Sequence, residues 1–258
     1  MKLIINADDF GYDHNVNSAI IDAFSFGWIS NTTVMTNMPG FPEAVSLAKE
    51  HKLMDKVGLH LNFLEGTPLS RELREDPVFC NADGIMTKEH VLKNLSLRRK
   101  FFLPRRTVAA LRKEAEAQIH AYMAAGFTQM HADSHCHSHT IDAVYRAILP
   151  VLLKFNIRSL RKTLNFYGMP RSALIRIYKA RFNRKVDKHF LSTDYFSSAG
   201  EYISGNQALL CDKDVCELMV HPIYEDGRII NKGNREFSDI AEYAKKFQLI
   251  SFSELKKG

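Results

Sequence analysis

The chain has 258 residues, 45% of them hydrophobic and 25% charged, with a formal net charge of +6. That balance excludes an intrinsically disordered chain, and the length suits one large core, read as a single domain over 1–258. Much of the positive excess sits in Arg98–Lys113 and Arg171–Lys188. No binding motif accompanies either segment, so they read as solvated faces and no nucleic-acid partner is expected.

Lys2 to Ala7 is a short apolar run that reads as a strand, ending in Asp8, Asp9, Phe10 and Gly11. Two carboxylates therefore stand where α/β enzymes commonly present their chemistry, at the carboxyl end of a strand. Val16, Ala19, Ile20, Ala23 and Phe24 recur at helical spacing, with a start near Tyr12 or Asp13 and a stop at Gly27. Ser30–Met35 reads as a strand, Pro39 to Ala48 as a helix entry and helix, and Val57–Phe63 as a third strand carrying His60. Strand alternating with helix argues for a parallel sheet with crossover helices.

Leu64–Gly84 lacks a sustained period and reads as a long loop, either a lid or substrate wall over the site or an insertion without a role. Lys88–Ala125 is helical with a break at Pro104; Leu111, Ala115, Ile119 and Tyr122 share one face of its second half. Thr128–Ala132 reads as a strand running into His131-Ala132-Asp133-Ser134-His135-Cys136-His137-Ser138-His139. Ile141–Phe155 is an amphipathic helix that Pro150 should bend or shorten. Ile157–Leu160 is a strand candidate ending at Arg161, and Pro170–Phe190 a basic helical insertion. Leu191–Phe196, Cys216–Val220 (delivering His221) and Leu249–Phe252 are further strands, with a helix over Asp239–Phe247. Seven or eight strands alternating with helices fit a complete or irregular (β/α) barrel better than an open sheet.

Asp8, Asp9, His60, His135, Arg161 and His221 thus fall at or just beyond the carboxyl ends of different strands, which converge on one face of a barrel. The cluster from His131 to His139 is a metal signal, since imidazole and carboxylate together bind divalent transition metals. A strand end can aim only one or two successive side chains at one ion, so His137 and His139 are expected to stand outside the ligand set. Asp8 and Asp9 could form a general acid/base pair, as in glycoside hydrolysis, or divide into a metal ligand and a base. The division is preferred.

Cys80, Cys136, Cys211 and Cys216 show no C-x-x-C spacing and read as reduced thiols. Without a leader or an apolar run of spanning length, a cytoplasmic protein with no membrane partner is expected.

The motifs Asn6-Ala7-Asp8-Asp9-Phe10-Gly11, Gly58-Leu59-His60-Leu61, His131-Ala132-Asp133-Ser134-His135 and Met219-Val220-His221-Pro222, in this order, resemble those of the YdjC-like carbohydrate deacetylases. That family includes chitooligosaccharide deacetylases and is similar in arrangement to NodB-type polysaccharide deacetylases on an irregular (β/α) barrel. The resemblance implies Asp9, His60 and His135 as ligands of one divalent cation, Asp8 as catalytic base, His221 as general acid, and Arg161 as the residue that steadies the base. It implies an N-acetylated oligosaccharide as substrate. Two imidazoles and a carboxylate suit zinc or another transition metal, whereas the family is often associated with magnesium. The 64–84 loop and the 170–190 insertion match no family pattern and leave the exact sugar open. Competing expectations are a metal-dependent phosphoesterase and a catalytically silent carbohydrate-binding protein. The oligomeric state, a homodimer included, is open.

Overall fold

Lys2–Phe10 (β1), buried from Leu3 onward, is the strand against which the other elements are laid. The computed structural model describes residues 1–168, 171–205, 210–232 and 235–256. Asp13 caps α1 (His14–Ser25) by accepting from the Val16 N–H at 2.9 Å, and Gly27, at φ +69°, turns the chain out of it. β2 (Asn31–Val34), α2 (Phe41–Glu50, with Pro42 in its first turn) and β3 (Val57–Leu61) follow as the pattern predicts.

The 64–84 segment holds one short helix, α3 (Arg71–Arg74). After α4 (Lys88–Asn94), Pro104 marks the start of α5 (Arg105–Ala124), whose predicted face of Leu111, Ala115, Ile119 and Tyr122 is fully buried. Buried Glu114 on α5 accepts from the backbone N–H of Leu69 and Ser70 and from the Ser70 hydroxyl, fastening the distal part of the loop to that helix. Only the loop's beginning, at Glu65, reaches the candidate site.

β4 is His131–Ser134 rather than Thr128–Ala132, because Thr128 donates its backbone N–H to the Met54 carbonyl and the ladder begins three residues later. A tight 3-10 turn (His135–Thr140) leads into α6 (Asp142–Lys154), which runs through Pro150 without ending there. β5 (Ser159–Leu160) and α7 (Ala173–His189) follow; Pro170, the predicted start of the insertion, lies outside the described residues. Regular pairing in β6 covers Tyr195–Ser198, with Leu191 making only a single bridge to Ser159. α8 (Ala199–Ser204) and β7 (Val215–Val220) precede a hairpin that the sequence pattern did not predict, β8 (Pro222–Glu225) and β9 (Arg228–Asn231). Its turn is Asp226-Gly227, both at positive φ (48° and 73°), the geometry that favours an Asp-Gly pair. β10 (Arg235–Glu236), α9 (Phe237–Lys246) and β11 (Gln248–Leu249) close the chain, and Phe252–Glu254 turns away as a 3-10 segment capped by Ser251.

The main sheet is parallel in the order β5-β4-β3-β2-β1-β7-β6, with β11 paired to the start of β1. It curls into an irregular, half-closed barrel. Its edges approach through the Ser159–Leu191 bridge and through the Asn165 and Phe166 N–H groups, which both donate to the Phe196 carbonyl. No helix among the described residues is long and apolar enough to cross a membrane.

Candidate active site

On a regular strand Asp8 and Asp9 would point to opposite faces. The pairing of β1 with β2 instead shifts register between Ala7 and Phe10, and Asp9 adopts φ +72°, so the strand bulges and both carboxylates turn toward the same end of the sheet. Gly11 completes the turn at φ +86°; a Cβ there would stand 2.9 Å from the Met35 carbonyl oxygen, which only glycine avoids.

Asp9 faces two imidazoles. Its Oδ1 lies 3.2 Å from His60 Nε2 and 2.9 Å from His135 Nδ1. Burial alone would raise the Asp9 carboxyl, but the hydrogen bond with His135 and the facing His60 ring outweigh it and hold the group well below the usual carboxylate range. Burial works against charge on His135 too, yet the Asp9 carboxylate pushes it up to about 9. His60 Nδ1 is engaged at 2.7 Å by Asp133 Oδ1, which fixes the ring so that its buried Nε2 faces Asp9 without a hydrogen-bond partner. A histidine oriented by a carboxylate on its far nitrogen is a recurrent arrangement for metal ligation. Asp9, His60 and His135 each offer a ligand atom within 4.8 Å of the others, and this donor set fits a divalent cation.

Asp8 belongs to a second network. Arg161, almost wholly buried, forks onto it, Nη1 to Oδ2 at 2.6 Å and Nη2 to Oδ1 at 2.7 Å, while Asn6 Nδ2 donates to Oδ1 at 2.9 Å. The same guanidinium reaches Asp133 Oδ2 at 2.7 Å and Glu217 Oε1 at 2.5 Å. Burial would raise the Asp8 carboxyl; the Arg161 charge wins and keeps it below its ordinary value. Three acids share one cation, and burial pushes Glu217 up to about 7 despite the contact. Asp133 therefore ties the two networks together, through His60 on one side and Arg161 on the other. Thr33 donates to Asp133 at 3.1 Å.

His221, half-buried at the end of β7, places Nε2 at 4.0 Å from Asp8 Oδ2. The two residues line a cleft of about 250 Å³ together with Asp9, Tyr12, Tyr224 and Lys232. Glu65 closes the opposite side, 3.6 Å from His135 Nε2 and 3.3 Å from the Tyr12 hydroxyl. All six residues singled out from the sequence are thus in one neighbourhood. His137 and His139 stand apart from the Asp9 cluster: His139 binds Ser134 Oγ at 2.6 Å and the Arg161 carbonyl at 3.0 Å, which pins Arg161 from its backbone, and His137 packs edge-on against Phe196. The pattern gave no role to Asp133, Glu217, Asn6, Thr33 or Glu65. Signals existed for two of them: Asp133 shares a strand face with His135 by period two, and Glu217 is an acid inside an apolar strand, which burial makes costly without a cationic partner.

A half-closed barrel presents acids and imidazoles at the carboxyl ends of β1, β3, β4 and β7, where α/β enzymes commonly carry their chemistry. A family model described as YdjC-like protein matches residues 2–249, and the chain belongs to that family. A carbohydrate deacetylase from Brevibacillus brevis is 30% identical over 99% of this chain and 100% of its own length. One from Vibrio parahaemolyticus is 31% identical over 90% of this chain and 82% of its own. The fold is similar to a crystal structure from Enterococcus faecalis V583, named for a proposed role in cellobiose-phosphate cleavage, with a TM-score of 0.69 and 21% identity over 98% of this chain and 97% of that one.

Proposed function

We propose that the chain is a metal-dependent hydrolase that removes N-acetyl groups from amino-sugar oligosaccharides. The observation that carries the reading is the convergence of Asp9, His60 and His135 beside an arginine-clamped Asp8, in a family whose similar curated members are carbohydrate deacetylases. Asp9, His60 and His135 would hold the ion, and two imidazoles with one carboxylate favour zinc or a neighbouring transition metal over magnesium. When bound, a divalent cation supplies Lewis acidity, polarising an amide carbonyl and acidifying water.

The chain's own residues handle the protons. Asp8, held ionised by Arg161, accepts a proton from water at Oδ2, the oxygen nearest His221. Its low basicity would be tolerable because a cation held by Asp9, His60 and His135 would acidify the water that Asp8 serves. His221 Nε2 faces the same cleft and donates to the departing nitrogen, without which the amine would be expelled as an anion. The Arg161 and Asn6 contacts fix the Asp8 plane so that reorientation is not required during turnover.

Acetate release, screened over N-acetylated mono- and oligosaccharides with protein stripped of metal and then reloaded, tests this directly. Phosphate release from sugar phosphates without acetate release would make the chain a phosphoesterase. Sugar binding with neither product would make it catalytically silent.

A further inference from the structure

We propose that the face built from residues 97–106 and the first half of α7 docks on the surface of a lipid bilayer carrying anionic headgroups. Residues 173–178 are all exposed, so the helix leaves the body of the protein for its first turns. Leu174 is 80% and Ile177 57% exposed there; they line a shallow groove with Phe101, whose segment also exposes Leu97 at 77% and Phe102 at 69%. Large apolar side chains exposed singly are ordinary, but gathered into one patch they mark an interaction surface.

Charge identifies what covers them. Residues 97–106 carry five Lys or Arg and no acid, and residues 171–189 carry seven Lys or Arg against Asp187 alone. The two segments thus hold +5 and +6, while the whole chain is only +6, so the remainder is net acidic. A second copy packed through this face would set the two cationic patches against each other, which disfavours a symmetric dimer. A soluble acidic polymer would satisfy the charges but leave the protruding leucines and phenylalanine in water. A bilayer with anionic headgroups takes both, the cations at the phosphate level and the apolar side chains at the acyl boundary.

The face is fixed rather than loose. Lys185 pairs with Asp142 at the start of α6, the Ala143 N–H donates to the Lys100 carbonyl, and Tyr178 donates to the Thr140 carbonyl at 3.2 Å. Thr140 ends the turn that begins at His135, so the patch borders the same end of the barrel as the candidate site. The sequence expectation of no membrane partner rested on the lack of a spanning segment, which surface docking does not need.

Cosedimentation of the full chain with vesicles of phosphatidylcholine alone, or mixed with phosphatidylglycerol, tests the proposal. Binding to the mixed vesicles that weakens with salt is expected, with little binding to phosphatidylcholine. Leu174→Glu combined with Phe102→Glu should lower it by about tenfold or more while leaving the thermal midpoint in place. Absence of vesicle binding, or binding unchanged in the double variant, overturns the proposal. So does a wild-type dimer that the double variant dissociates, or tight DNA binding in place of vesicle binding.

Discussion

Arg161 and Asp8 lie 153 residues apart in the chain and meet through two parallel N–H···O bonds of 2.6 and 2.7 Å in a fully buried setting. The bidentate fork leaves the guanidinium free to serve Asp133 and Glu217 through its remaining donors, and Phe196 covers its face at 4.9 Å. One arginine therefore sets the position of Asp8 and, through Asp133, the ring of His60.

Arg161→Met should expose how much depends on this cation. Three carboxylates would face one another without compensation, and removing one partner of a buried ion pair costs about 3–5 kcal/mol. A fall in the unfolding midpoint together with loss of acetate release is expected. Arg161→Lys keeps the charge but cannot fork onto Asp8 while reaching Glu217, so it should recover more stability than turnover. A methionine variant as stable as the parent would remove Arg161 from this role.

Asp8 and Asp9 are neighbours assigned to different tasks, and their variants should separate. Asp8→Asn is expected to keep metal affinity, read by isothermal titration calorimetry, and to lower kcat by about 10²–10⁴-fold, the usual range for a general base. Asp9→Ala should weaken metal binding itself, since the two imidazoles would lose the oxygen on which they converge. Equal loss of metal in both variants would contradict the division.

His221→Ala should lower kcat by a similar factor, about 10²–10⁴, with metal affinity retained, because the side chain faces Asp8 and the cleft rather than the Asp9 cluster. Substrates with a better leaving group than an amine should lose less in this variant. An equal loss for amide and activated ester substrates would argue that His221 positions substrate instead of delivering a proton.

The residues that read clearly from sequence are those whose meaning is local. Asp8, Asp9 and His221 end or follow apolar runs and His60 lies near the end of one, and such placement needs no knowledge of what pairs with what. What escaped depends on contacts between distant segments: Glu217 is intelligible only once Arg161 is known to lie beside it, and Asp133 only once His60 is its cross-strand partner. The bulge at Asp9 is a register effect between β1 and β2 and leaves no trace in period or composition. The Asp226-Gly227 hairpin was available from its turn residues, but β8 and β9 are short and partly exposed, so the alternation that would have flagged them is weak.

Stability should rise with pH between about 4.5 and 5.5, in the interval between the ordinary carboxyl and imidazole values. His131 is buried under Phe252, with ring centroids 3.4 Å apart, and burial pushes it down to about 3. Burial likewise takes His137 to about 3 and His139 to about 4. In the unfolded chain all three would gain protons as pH falls below 6.5, whereas the folded chain refuses them, so their contribution is complete above 6.5 and lost toward 4 and 3. Glu217 acts in the opposite sense: raised to about 7, its contribution is complete below 4.5 and lost as pH climbs. Below about pH 5.5 His60 and His135, both raised by their carboxylate partners, are protonated folded or unfolded, so three imidazoles outnumber one carboxyl, leaving a net uptake on unfolding of about two protons, or roughly 3 kcal/mol per pH unit. Denaturant titrations across that window should show the slope, and His131→Phe, which keeps the stack on Phe252 but cannot titrate, should reduce it by about 1.4 kcal/mol per pH unit. An unchanged slope in that variant would mean that His131 is protonated in the fold, and its placement beside Ser159 and Phe252 would then need another explanation.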